Sequence, residues 1–403
     1  MTGRIRRTAF TILIILMAAL LLVTGCRSTS SPGSREEIVV QIDSMDAFTK
    51  FGNIALNIRT RDFFANTDFE YGDAVRVRFL DQDMVLPLVS AFSLLGIGET
   101  GIDAEDPDPT GPSEKLMLFT NLADFTTRYG IAYQSLDSDG MWFWTLSEGL
   151  ELPIDVTLTL EEKGAYPEYA GDPMVISTSR SDYLHLTDTE YANIRMVTTS
   201  GFGNCFYRGS SPIDSKFKRD ILADATIAEI GIDISINLSD SKTKAENIKG
   251  FSDTYYSKTS ILFNEMGVDY RQESFRDGLR RGFQYIADNE GVYYVHCSLG
   301  KDRTGLFCAI LEALMGASAE EVIEDYMNTF VYFYGLQKGP MYDKIADTNI
   351  CNALEELLAL DSEFRDVTTE HLTQAAYGFI ISIGLSDSEI ASLKTNLSRV
   401  RTV

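Results

Sequence analysis

The chain has 403 residues, room for two domains, and 44% hydrophobic and 23% charged residues exclude a fibrous or wholly disordered protein. Its formal net charge of −24, from 59 acidic against 35 basic side chains, excludes the basic surface that a nucleic-acid partner requires and any broad adsorption on anionic lipid. An anionic substrate would have to be captured at a local positive site.

In chain order, Arg4, Arg6 and Arg7 make a basic start, followed by an uncharged apolar run over residues 10–23. A run of about 14 residues is short for a membrane-spanning helix, which needs roughly 20. Val23-Thr24-Gly25-Cys26 resembles the cleavage box of bacterial lipoproteins. That resemblance implies a signal peptide over 1–25, lipidation of Cys26, and a membrane-anchored protein on the extracytoplasmic side of a bacterial cell. Losing three arginines and no acid would take the charge from −24 to −27. Residues 26–35, with Ser, Pro and Gly, read as a flexible tether.

Residues 36–170 read as a β-rich domain. Strands are predicted at 37–42, 74–79, 84–89, 142–145 and 156–160, several alternating apolar and polar residues as half-buried strands do. Gly72-Asp73 and Asp139-Gly140 are turn signals, and 97–113 reads as a loop. Many short strands without long helices predict a small barrel or sandwich. A boundary is expected at 166–180, where Pro167, Gly171 and Pro173 cluster.

Residues 180–403 change character. Strands at 233–238, 260–263 and 291–297 alternate with helices at 272–289, 305–315, 343–360, 369–384 and 387–397. Ser318-Ala-Glu-Glu321 is a capping box that opens a further helix. This alternation predicts an α/β fold with a central sheet flanked by helices.

Five cysteines (Cys26, Cys205, Cys297, Cys308, Cys351) and three histidines show no zinc-site spacing, so no metal is implied. The chemistry concentrates in Val295-His-Cys-Ser-Leu-Gly-Lys-Asp-Arg-Thr-Gly305, which follows a predicted strand and opens a predicted helix. A loop so placed aims several backbone N–H groups at one spot on the positive end of the helix dipole. Arg303 offers a planar fork matched to phosphate oxygens. Cys297 sits at the mouth of this anion cradle, where the same field favours its nucleophilic thiolate form.

The pattern Cys-x-x-Gly-Lys-Asp-Arg-Thr-Gly resembles the signature of the cysteine-dependent protein tyrosine phosphatase superfamily, in particular the bacterial tyrosine and dual-specificity phosphatases. Ala192-Asn-Ile-Arg195, Phe206-Tyr-Arg-Gly-Ser-Ser-Pro212 and the closing helix after Ile383-Gly-Leu-Ser386 are similar to other segments of that family, so the resemblance runs over about 180–400. It departs at Met196, where an acid often stands, and at Asn237 and Ser239, which replace an Asp and an Arg.

The resemblance implies a thiophosphoryl intermediate on Cys297, with phosphate held by the loop residues Ser298, Leu299, Gly300, Lys301, Asp302 and Arg303 and no cofactor. It implies an acid from the loop before the preceding helix, for which Asp269 is the choice and Asp302 the rival. It implies that Thr304 hydrogen-bonds the Cys297 sulfur and that His296 anchors the loop. Arg208 is expected either at the phosphate rim or in a structural ion pair. Lys301 would suit a second phosphate.

The expected activity is hydrolysis of phosphotyrosine in proteins, with phosphoinositides or inositol polyphosphates as the alternative substrates. A non-catalytic lipoprotein that binds phosphorylated ligands is the reading from another class. In the first domain, 46–53 and 71–75 are similar to segments of the β-barrel domain of S-adenosylmethionine hydroxide adenosyltransferases, whose catalytic part is absent.

Overall fold

Apolar residues two apart along the strands of the first half commit one face of each to a common interior. On β3 (Ala74–Phe79) Val75, Val77 and Phe79 are buried while Arg76 and Arg78 reach outward. On β9 (Ile154–Glu162) Ile154, Val156 and Leu158 do the same. With β1 (Glu37–Ile42), β2 (Ile54–Arg59), β4 (Gln82–Val89), β5 (Thr100–Asp103) and β6 (Lys115–Thr120) they form a seven-stranded sheet of order β1-β9-β3-β4-β5-β6-β2. Its edge strands meet, Gln41 N–H donating to Asn57 Oδ1 (2.7 Å), so the sheet is nearly closed, and it wraps a core that includes Leu56, Phe63, Val77 and Phe125. A two-stranded hairpin, β7 (Ala132–Leu136) with β8 (Trp142–Leu146), stands beside it.

The structure is a computed structural model describing residues 36–106, 113–136, 142–171 and 174–401. The expected signal peptide over 1–25, Cys26, the expected tether over 26–35, the expected Asp139-Gly140 turn and Pro173 lie outside the described residues. Among the described residues, no helix is long and apolar enough to cross a membrane.

The second half builds a five-stranded sheet in the order β10 (Arg195–Met196), β11 (Phe206–Gly209), β14 (Tyr293–His296), β12 (Ile234–Asn237), β13 (Ser260–Phe263). All pairs are parallel except β10–β11. β12 and β14 are buried along their whole length, as parallel strands covered on both faces must be. The principal helices are α1 (Asp220–Ile230), α2 (Glu273–Asp288), α3 (Asp302–Met315), α4 (Ala319–Tyr334), α5 (Thr369–Ser382) and α6 (Asp387–Leu397). Helix α2 buries Phe275, Leu279, Phe283 and Ile286, the face its periodicity predicts. Helix α3 is apolar nearly all round and buried from Arg303 to Leu314. The Ser318–Glu321 capping box opens α4.

Two expectations are corrected. The 97–113 stretch holds β5, because Ile102 pairs with Leu88 on one side and Leu118 on the other, a tertiary pairing with no local signal. The single helix expected over 343–360 is instead Pro340–Ala346, a π turn at Asp347–Cys351, and Asn352–Leu357. The wider turn leaves the Thr348 carbonyl to accept from Ile97 N–H (3.2 Å), and the Asn349 side chain reaches Asn121 (3.1 Å) and the Ser93 carbonyl (3.3 Å). Val89 and Phe119 from the first sheet, with Leu94 and Leu95 from the connection between β4 and β5, enter the same continuous core as Leu306, Phe330 and Ile350.

Candidate active site

β14 is the central strand of the parallel sheet, and the chain leaves it at Cys297 to enter α3 at Asp302. Between them, four consecutive carbonyls are each taken by a donor from outside the loop. His296 Nδ1 meets Cys297 O (3.1 Å), and Ser211 N–H donates to Ser298 O (2.9 Å). Asn193 Nδ2 donates to Leu299 O (2.9 Å) and Arg208 Nη2 to Gly300 O (3.0 Å). With its carbonyls drawn outward, the loop turns its amides to the opposite side. Among the described residues nothing accepts from the amides of 298–303, leaving a ring of donors at a helix N-terminus.

Gly300 makes this path possible. Its φ is +70°, and a Cβ there would stand 2.2 Å from the Gly209 carbonyl oxygen. Cys297 is buried in the apolar core beneath the loop.

Arg303, in the first turn of α3, is also buried. Its Nη1 donates to Leu238 O and Met266 O (both 3.3 Å), so it ties the end of β12 to the loop before α2. Asp269 lies on that loop, half-buried, and lines a cleft of about 1020 Å³. Its Oδ1 accepts from Arg271 N–H (3.0 Å) and its Oδ2 from Gln272 Nε2 (3.4 Å). Asp302, the rival acid, is 3.7 Å from Lys301 Nζ in the first turn of α3.

His296 is fully buried. Because a carbonyl only accepts, Nδ1 carries the proton to Cys297 O, and Nε2 accepts from the Tyr256 hydroxyl (2.9 Å). Burial pushes the imidazole down to about 4, so the ring is neutral at physiological pH.

Of its two expected places Arg208 takes the structural ion pair and not the phosphate rim: it is fully buried behind the loop, paired with Asp325 and holding the Gly300 carbonyl. Two expected roles change. The Lys301 ammonium is buried 5.4 Å from the centre of the Phe330 ring and 6.0 Å from that of Tyr334. Burial alone would lower its pKa, but Asp302, Tyr334 and Glu105 outweigh that and raise it, so its charge is spent inside the fold. The Thr304 hydroxyl is buried without a hydrogen-bond partner; the bond expected to the Cys297 sulfur is not formed.

Other residues complete the site. Asp325 holds Arg195 as well as Arg208, Asp214 accepts from the Ser298 hydroxyl, and Tyr256 fixes the His296 tautomer. From the turn before β2, Phe51 covers Arg303, its ring centroid 5.6 Å from the guanidinium carbon. Asn193 and Arg195 carried a sequence signal through their Asn-Ile-Arg segment, and Ser211 through the segment 206–212. Asp214, Tyr256, Asp325 and Phe51 carried none as site residues.

Cys297 thus lies at the base of a ring of free amides with Arg303 in the next turn, on a strand–loop–helix of a parallel sheet, an arrangement able to hold an anion beside a thiol. Residues 213–399, which contain this unit, match the model of the tyrosine phosphatase family. A tyrosine-protein phosphatase of Nostoc commune is 26% identical over 212 residues, covering 43% of this chain and 68% of the relative. Among solved structures, an uncharacterised conserved protein from Thermotoga maritima is 18% identical with a TM-score of 0.21, over 30% of this chain and 35% of that one. A phosphatase candidate from Neisseria meningitidis is 14% identical with a TM-score of 0.22, over 38% of this chain and 99% of that one.

Proposed function

We propose that the protein hydrolyses phosphotyrosine in proteins through a cysteinyl-phosphate intermediate, on the outer side of a membrane to which lipidated Cys26 anchors it. The observation that carries this is the set of four outward-anchored carbonyls at 297–300, which leaves their amides to ring an anion above Cys297.

The Cys297 Sγ thiolate attacks phosphorus as the phosphorus–ester oxygen bond breaks. Asp269 gives its proton to the departing phenolate oxygen. The loop amides and Arg303 hold the three equatorial oxygens throughout. Asp269, now a carboxylate, takes a proton from water as that water attacks phosphorus and the thiolate leaves, returning the enzyme and releasing phosphate. His296, neutral and locked by Tyr256, holds the Cys297 carbonyl and keeps the loop in shape.

The test is phosphate release by the full chain and by Cys297→Ser, offered a phosphotyrosine peptide, a phosphoserine peptide, phosphoinositides and inositol hexakisphosphate. Fastest release from the phosphotyrosine peptide, abolished in the variant, is the expected result. A ranking led by the inositols would move the substrate class, and binding without release would make the protein a docking module. For the anchor, a Cys26→Ser chain that is processed and retained on the membrane as before would sink the lipidation reading.

A further inference from the structure

Phe51 belongs to the first sheet's half of the chain yet stands over the arginine of the cradle. It sits in a β-turn closed by Gly52 N–H to Thr49 O (3.0 Å), between Phe48 and Ile54, which bridge to each other. That turn is fixed at several points. Trp144 Nε1 donates to Thr49 O (3.0 Å) and Gln134 Nε2 to Lys50 O (2.9 Å). The Thr126 amide (2.9 Å) and hydroxyl (2.7 Å) both donate to Gly52 O, and Lys50 Nζ reaches across to Glu265 (3.2 Å). Gly52 itself, at φ +82°, has no room for a Cβ, which would meet Asp124 Oδ1 at 2.1 Å. A large apolar ring held this firmly, yet 41% exposed, presents a surface for something to pack on.

We infer that Phe51 is the wall of the substrate pocket on which the phenyl ring of a phosphotyrosyl side chain packs, so that the first domain completes the active site and sets its preference for aryl phosphates. This rests on the phosphatase reading above. Arg303 is the group placed to clasp phosphate oxygens, and the Phe51 ring centre lies 5.6 Å from its guanidinium carbon, so an ester group held there would leave the cradle beside Phe51. Aromatic rings pair edge-to-face or offset at centroid separations of about 4.5–7 Å, a spacing a ring emerging beside Arg303 would adopt.

The cleft that continues from Phe51 along Tyr133 and Trp142 accommodates flanking peptide. Two of its cations are paired, Lys50 with Glu265 and Arg271 with Glu356, and Arg128, held by the neutral Gly98 carbonyl, shares the lining with Glu99, Asp124 and Asp269. A multiply phosphorylated ring therefore finds no net positive charge there, whereas a singly phosphorylated aromatic side chain needs none.

The experiment measures binding of a phosphotyrosine peptide and of inorganic phosphate to the full chain carrying Cys297→Ser, alone and combined with Phe51→Ala, Phe51→Leu or Phe51→Tyr. Turnover of aryl and alkyl phosphates is measured in the same Phe51 variants with Cys297 intact. The ratio of peptide affinity to phosphate affinity falls about tenfold or more in Phe51→Ala and Phe51→Leu, and Phe51→Tyr restores it. In turnover the loss appears in KM for the aryl substrate and not for the alkyl one. An unchanged ratio, or no peptide affinity above that for phosphate in the parent chain, overturns the inference while Cys297-dependent turnover leaves the phosphatase reading standing. A Phe51-dependent ratio without any turnover does the reverse.

Discussion

Asp325 and Arg208 form an ion pair buried behind the cradle, and Arg208 spends its other nitrogen on the Gly300 carbonyl (3.0 Å). The same carboxylate holds Arg195 Nε at 2.7 Å, so one acid is shared by two buried cations. Burial alone would raise the Asp325 pKa, but the two arginines outweigh it and hold it well below the usual carboxylate range. Asp325→Asn strands both guanidinium groups and should cost about 3–5 kcal/mol of unfolding free energy, read by urea denaturation. The double variant Arg208→Met/Asp325→Leu should recover part of that stability, because Arg195 alone is then left without its carboxylate. Its turnover should stay low, because nothing then holds the Gly300 carbonyl.

Gly300→Ala tests the loop path directly. The new methyl would lie 2.2 Å from Gly209 O on a backbone at φ +70°, so loop or strand must shift. Strain of this kind costs on the order of 1–3 kcal/mol, which the fold can survive. Phosphate affinity depends on every amide facing one point, so kcat/KM should drop by about a hundredfold or more. A folded variant with nearly full activity would show that the amide ring is not what holds the substrate.

The choice between the two acids is open to leaving-group analysis. Asp269 lines the cleft, whereas Asp302 is 3.7 Å from the Lys301 ammonium. Asp269→Asn should lower kcat roughly 10²–10⁴-fold on a substrate with a poor leaving group, and much less where the departing oxygen needs no proton. Asp302→Asn should cost less than about tenfold on either. The opposite pattern would hand the proton to Asp302.

The two sheets should unfold together. Leu94, Leu95 and Phe119 share a core with α3 and α4, and Asn349 bridges Asn121 and the Ser93 carbonyl across the junction. Tryptophan fluorescence reports Trp142 and Trp144 in the hairpin, and far-ultraviolet dichroism reports the helices of the other half. Both should give one midpoint in urea. Asn349→Ala should shift both signals by the same amount, about 2 kcal/mol for buried groups left unpaired. Two separate transitions would mean that the halves are independent.

What could be read from the sequence was local. The strand, loop and helix around Cys297 are contiguous, and their order alone implied an amide cradle. The faces of α2 and the capping box of α4 follow from spacings of three and four residues. What could not be read depends on pairing across the chain. Asp325 lies 117 positions from Arg208, and an aspartate inside an apolar helix has no signature that names its partner. Phe51 lies in the segment 46–53 that resembles part of a β-barrel domain, yet nothing in its neighbours says that its turn faces Arg303. Lys301 misled for a related reason: a lysine in a phosphate loop suggests a second phosphate, and only the fold reveals Phe330, Tyr334 and Glu105 around it.

His296 gives the loop a pH dependence whose sign follows from its burial. The neutral ring donates to Cys297 O and accepts from Tyr256, and a second proton would have to displace the Tyr256 hydroxyl hydrogen. Its imidazole is pushed from the ordinary 6.5 down to about 4, mainly by burial and also by Arg303, with the Cys297 carbonyl, Asp240 and Asp214 acting in the opposite direction. Between those two values the unfolded chain takes up a proton that the folded chain refuses. The contribution of His296 is therefore complete above about pH 6.5 and is lost as pH falls toward 4, at up to about 1.4 kcal/mol per pH unit and about 3 kcal/mol in all. The carboxyls of Asp103, Glu105 and Glu312 are raised by burial and act with the opposite sign, so the wild-type curve alone mixes the effects. The difference between wild type and His296→Asn isolates the histidine. The wild-type advantage at pH 7.5 should shrink by about 3 kcal/mol on acidification to pH 4, measured by urea unfolding at each pH. A gap that stays constant, or widens in acid, would mean that His296 is not held neutral by the fold.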